Sequence, residues 1–143
     1  MHLRRLAAPH FVNLGGTFEP GMYLKTGDVI TSRGCPNNCW FCAVPKRESE
    51  GLKELEVKTG NNIFDDNLLA CSDAHIKAVF DMLATQKDVK FTGGLEAKRL
   101  KPWHVEQIAR VKTKQVYFAY DTPDDLEPLI EAAKLLKESD WYR

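Results

Sequence analysis

Cys35, Cys39 and Cys42 follow one another as Cys-x3-Cys-x2-Cys, so three of the four cysteines fall within eight residues. Three thiolates on one short loop can wrap a cubane cluster and ligate three of its irons, where proteins usually supply four cysteines. The fourth iron then keeps an open position, as catalytic metal sites do. The same spacing also suits zinc, whose structural sites take four ligands, with Cys71 or a histidine completing the set. Gly34 and Pro36 let the chain turn sharply around the first thiol. Phe41, just before the third, is an aromatic suited to pack beside a cofactor ring. Two disulfides would be the reading for a secreted protein. The clustering of the cysteines, and an N-terminus with Arg4 and Arg5 but no apolar core of signal-peptide length, point instead to a metal or redox site in a cytoplasmic protein.

The elements that must position this loop are legible in the hydrophobic pattern. Residues 1–27 carry Pro9, Gly15, Gly16, Pro20, Gly21 and Gly27 and read as a loop-rich segment with one short strand near residues 10–14. From residue 28 to 143 strand and helix signals alternate. Residues 28–32 read as a β-branched strand running into the cysteine loop, and residues 46–60 as a charged surface excursion. Ile63 and Phe64 mark a second strand. Ser72 caps a helix whose Ile76, Val79, Phe80 and Leu83 recur at i, i+3, i+4 and i+7. Residues 89–92 form a third strand ending at Gly93 and Gly94. Pro102 opens a helix carrying Val105, Ile108 and Ala109. Residues 116–120 form a fourth strand, and Thr122 starts a last helix with Leu126, Leu129, Ile130, Ala133 and Leu136 as its apolar face.

Such alternation implies an α/β fold of βα units around about four parallel strands. Chemistry in such folds gathers at the C-terminal ends of the strands. That rule brings Asp65, Asp66 and Asn67, then Gly93, Gly94 and Glu96, then Tyr120 and Asp121 to the same rim as the cysteines.

The segment from Ser32, Arg33, Gly34, Cys35 and Pro36 to Trp40, Phe41 and Cys42 resembles the cluster-binding loop of the radical S-adenosylmethionine (SAM) superfamily. The looser resemblance, over residues 28–137, is to the first four βα units of a six-unit partial TIM-like barrel. Asp65, Asp66 and Asn67 are similar to the acidic turn in the branch holding methylthiotransferases and cobalamin-linked members. The resemblance implies a [4Fe-4S] cluster on Cys35, Cys39 and Cys42, with SAM on the open iron. It implies reductive cleavage of SAM to a 5′-deoxyadenosyl radical, and hydrogen abstraction from a substrate the residues do not name. A reduced flavodoxin or ferredoxin would be the electron donor. Trp40, Phe41, Asp66, Asn67, Gly93, Gly94, Glu96, Tyr120 and Asp121 are the candidate cofactor contacts. The chain departs from the family in lacking a Gly-Gly-Glu turn after the second strand, and it carries no cobalamin domain. The fifth and sixth units lie outside these residues, so a partner chain or self-association is expected to cover the open sheet edge. The competing readings are an iron–sulfur electron-transfer module and an inactive remnant.

The remaining polar and aromatic residues have plainer expectations. Cys71 is a core thiol. His75 and His104 are surface residues near helix starts, and Lys98, Arg99 and Lys101 form a solvated face. Trp103 and Trp141 are packing residues. Twenty basic and twenty acidic side chains cancel, so no overall field draws the chain to nucleic acid or an anionic membrane. No apolar run reaches membrane-spanning length.

Overall fold

Alternating apolar and polar positions along four strands give this sheet two unlike faces, and the computed structural model shows what each carries. It describes residues 22–48 and 51–142, so the short strand expected near residues 10–14 lies outside the described residues. The strands are β1 (Asp28–Val29), β2 (Ser32–Arg33), β3 (Lys53–Glu54), β4 (Asn62–Ile63), β5 (Lys90–Leu95) and β6 (Gln115–Phe118). The helices are α1 (Val44–Arg47), α2 (Asp73–Leu83), α3 (Pro102–Arg110) and α4 (Leu126–Glu138). β1, β4, β5 and β6 form one parallel sheet in that order. Each new strand is added beside the last, with a helix crossing between β4 and β5 and another between β5 and β6.

One face of the sheet is apolar and lies under the helices. Val29, Ile63, Phe91 and Val116 are in register across the four strands. They meet Ile76, Val79, Phe80 and Leu83 of α2, none of them more than 1% exposed, and the Phe80 and Phe91 rings stand 5.6 Å apart. Burying each such side chain contributes about 1.5–3 kcal/mol. The expected caps are present: Ser72 Oγ accepts from the His75 N–H at 3.2 Å, and Pro102 begins α3. The next row, Asp28, Asn62, Lys90 and Gln115, lies on the opposite face. There Asn62 Nδ2 donates to Asp28 Oδ1 at 2.9 Å, and Thr92 Oγ1 donates to Asn62 Oδ1 at 2.8 Å.

Several expectations are corrected. The first strand does not run through to Ser32. It leaves the sheet at Ile30, because Thr31 and Ser32 turn their donors to Asp65, and the chain then pairs antiparallel with β3. The charged excursion at residues 46–60 therefore returns to the base of the cysteine loop: Leu55 N–H donates to the Thr31 carbonyl at 2.9 Å. The third strand does not stop at Gly93. It continues to Leu95 through a register irregularity.

His75 and His104 are buried rather than on the surface, 9% and 1% exposed. His104 Nδ1 accepts the Lys101 N–H at 3.0 Å and so closes the first turn of α3 from inside. The last helix buries Ala132 and Leu136, while Leu126, Ile130 and Ala133 face outward. Its inner seam is thus rotated from the stripe expected. Cys71 is buried as expected, and Trp141 packs against the core with its indole N–H donating to the Thr113 carbonyl. Among the described residues no helix is long and apolar enough to cross a membrane.

Candidate functional site

The cysteine loop crosses the C-terminal rim of the sheet, and neighbouring strand ends hold it by their polar side chains. Gly34 begins the turn with φ +84°, and a Cβ there would come 1.9 Å from the Gly51 carbonyl oxygen. Only glycine fits this backbone and this approach. The Gly34 N–H donates to Asp66 Oδ2 at 2.8 Å. The other Asp66 oxygen accepts from the Arg47 guanidinium at 2.6 Å. Arg47 also reaches Glu48, whose carboxylate lies 3.5 Å from Arg33 Nε. The hydrogen bond from Arg47 to Asp66, opposed by partial burial, raises the guanidinium's already high pKa. Asp66 thus straps α1 to the first turn of the loop. Beside the strap, Tyr23, Ile30, Arg33 and Phe64 help line a cleft of about 360 Å³.

A second network closes on Cys35. Asn67 Nδ2 donates to Cys35 Sγ at 3.3 Å and to Glu96 Oε2 at 2.7 Å. Asn37 Nδ2 donates to Glu96 Oε1 at 2.9 Å, and Arg99 Nε donates to Glu96 Oε2 at 2.6 Å. Burial pushes the Glu96 carboxyl up, but the hydrogen bonds from Asn67, Asn37 and Arg99 outweigh it and hold the group below its ordinary range. Glu96 is therefore ionised at neutral pH. Asn67 is 4% exposed, yet its Oδ1 has no hydrogen-bond partner among the described residues. A buried amide oxygen left this way is costly.

Cys35, Cys39 and Cys42 are free thiols. Cys42 Sγ accepts the Val44 N–H at 3.4 Å. Desolvation raises the pKa of the Cys39 thiol, with Cys35, Cys42, Asp121 and Glu96 adding to the rise. Cys39 thus lies within electrostatic reach of both other thiols and of Asp121 and Glu96. A bound cation reverses that preference, since a coordinating thiol loses its proton outright.

Among the described residues no three His, Cys, Asp or Glu side chains converge as ligands of one ion. Thiolates of a polynuclear cluster each take their own iron and have no need to converge on one point. The donor set, the glycine turn and the unpaired Asn67 Oδ1 beside Cys35 fit a cluster with a ligand next to it.

The other candidates are distributed unevenly. Trp40 is 88% exposed and meets Phe41 edge-on at 5.6 Å. Gly93 lies inside β5, where a Cβ would meet the Asp65 carbonyl at 2.7 Å, so the chain it accommodates is the neighbouring strand end. Gly94 has φ +88° and open space on its Cβ side. Tyr120 is exposed. The Asp121 and Thr122 N–H groups both donate to Asp125 Oδ2, at 3.0 and 2.9 Å, which forms the turn before α4.

Sequence reasoning missed Asn37 and Arg99, and the signal for them was slight: an asparagine inside the cysteine loop and a basic residue three positions after a rim glutamate. It also missed Thr31, Ser32 and Arg47 as supports of the loop.

No protein-family model, curated protein or solved structure matches this chain.

Proposed function

We propose that this chain is a radical SAM enzyme core, with a [4Fe-4S] cluster on Cys35, Cys39 and Cys42 and SAM at the iron left free of protein ligands. In this reading the parallel sheet is a stretch of partial-barrel wall, and the protein works in the cytoplasm with a reduced flavodoxin or ferredoxin as electron donor. The observation that carries the reading is the pairing of three free thiols on one rim loop with the Asn67–Glu96 network beside Cys35. When bound, the cluster and SAM together supply a 5′-deoxyadenosyl radical that removes a hydrogen atom from the substrate.

The chain's own residues bind and orient. Glu96, ionised and fixed by Asn37 and Arg99, offers negative charge to the amino group of SAM. Asn67 Oδ1 is a buried acceptor in want of a donor on the same side. Trp40 and Phe41 offer aromatic surface for the adenine, and Gly94 leaves backbone open to a close approach. The open edge of β6 would take a partner chain or a second copy.

Anaerobic reconstitution should load about four irons per chain, the cubane stoichiometry. Alanine at Cys35, Cys39 or Cys42 should abolish loading, whereas Cys71→Ala should keep it. Dithionite with SAM should release 5′-deoxyadenosine from the wild type and none from Cys39→Ala. The exposure of Cys39 and Trp40 favours one second reading, an electron-transfer module with its cluster near the surface. Full iron loading without 5′-deoxyadenosine, and without a spectral response to SAM, would establish that reading instead.

A further inference from the structure

Beneath the cysteine loop lies a buried polar chain that the proposed reaction does not use. Asp65 is 2% exposed, and Thr31 and Ser32 are fully buried. Asp65 Oδ1 accepts the Thr31 N–H at 2.6 Å, while Oδ2 accepts the Thr31 and Ser32 hydroxyls at 2.6 and 2.7 Å. All these donors come from the two residues that lead into Arg33, Gly34 and Cys35. The Thr31 hydroxyl spends its proton on Asp65, so its oxygen can only accept from His75 Nε2, 3.3 Å away. Nε2 therefore carries a proton, while Nδ1 faces Glu54 Oε2 at 3.9 Å. Glu54 in turn caps α2 through the Ser72 N–H at 2.6 Å.

We propose that Asp65 is a positioning residue for the cysteine loop, and that its carboxylate, acting through the Thr31 hydroxyl, sets which ring nitrogen of His75 faces the clamp as a donor. The proposal rests on the functional reading only in calling the loop a cofactor seat.

The charged and titratable groups facing this clamp are Cys71, His75 and, beyond the ring, Glu54; Asp66 points away to Gly34 and Arg47. Burial pushes the Asp65 carboxyl above its usual value, against the hydrogen bonds of Thr31 and Ser32. A carboxyl raised in the folded state gives its full stability below the unfolded pKa and loses it as pH rises through the folded one. The Thr31 N–H and the Thr31 and Ser32 hydroxyls all donate to it, so the carboxylate form orders the loop, and burial makes that form costly to the fold.

Asparagine separates the two effects. In Asp65→Asn the amide oxygen still accepts the Thr31 N–H, but the amide nitrogen must donate to both hydroxyls. Thr31 then has to donate to His75 Nε2, and the ring must give up its Nε2 proton and keep one on Nδ1. The test uses the full-length, metal-free, reduced chain and measures amide hydrogen exchange together with nitrogen NMR of His75. Asp65→Ala and Thr31→Val should speed exchange over residues 31–42 by about tenfold to a hundredfold, the loss of hydrogen bonds to a buried carboxylate. Exchange in α2 should stay within about twofold, because its protection comes from the apolar core. Asp65→Asn should keep the loop protected, melt no lower than the wild type and show the Nδ1–H tautomer. Equal exchange gains in α2 and the loop, no gain in either, or an Asn variant with an unchanged tautomer would each overturn the proposal. The readouts need no cluster, so a chain that never takes up iron would sink the proposed function and leave this inference standing.

Discussion

Phe91 lies in β5 and Asp65 just past the end of the neighbouring β4, and both are nearly sealed from water, at 1% and 2% exposed. Phe91 is held by non-directional contacts with Phe80 and the helix layer. Asp65 is held by donors whose number and direction must both be right. The apolar side of the sheet thus carries the stability of the fold. The polar rim carries its shape, at a cost in stability. Damage to the first should spread through the molecule, whereas damage to the second should stay in the loop.

The largest break in this comparison comes from Phe91→Ala. It leaves a cavity in the helix-covered core and should cost about 3–5 kcal/mol in urea unfolding. Amide exchange should rise in α2, α3 and the rim alike; a change confined to the rim would mean that the core does not couple the two regions.

Acid tests the core's one buried histidine on α3. Burial, followed by the charge of Lys101, pushes His104 down to about 4. The unfolded chain takes that proton near pH 6.5 while the folded chain refuses it. Stability is thus complete above pH 6.5 and falls as pH drops toward 4, by up to about 3 kcal/mol. The urea midpoint followed against pH should show this slope, and His104→Gln should flatten it.

Gly34→Ala sharpens the other side. A left-handed backbone and a Cβ driven against the Gly51 carbonyl should cost about 1–3 kcal/mol, all of it in the loop. Iron retention should fall with little change in the thermal midpoint; a lowered midpoint with normal iron uptake would put the strain elsewhere. The smallest effect is expected from Arg47→Ala. Its side chain is 49% exposed, so its ion pair with Asp66 is screened and contributes at most about 1 kcal/mol. Global unfolding should barely move, and exchange at the Gly34 amide should show a modest rise.

Legibility follows the same division. The apolar face of α2 was written in its spacing, Ile76, Val79, Phe80 and Leu83, and the structure buries all four. The face of α4 was written less surely. Leu136 is buried as its spacing indicated, but Leu126, Ile130 and Ala133 lie outside, because docking against α3 and the chain after β5 turns Ala132 inward beside it. The two histidines looked like surface residues because their neighbours are charged. Each instead has a ring nitrogen close to a specific partner, Thr31 Oγ1 for His75 and the Lys101 N–H for His104.

By itself the sequence determined what depends on neighbours along the chain: the positions of the four sheet strands and three long helices, their alternation, and three thiols confined to one loop. Local periodicity and capping settle those features before any tertiary contact forms. Only the tertiary structure decided which polar groups meet. Asn37 reaches Glu96 across 59 residues, Asn67 reaches it across 29, and Thr31 reaches Asp65 across 34. Such contacts leave no period in the sequence, since a hydrogen bond depends on distance and direction in space rather than on spacing along the chain.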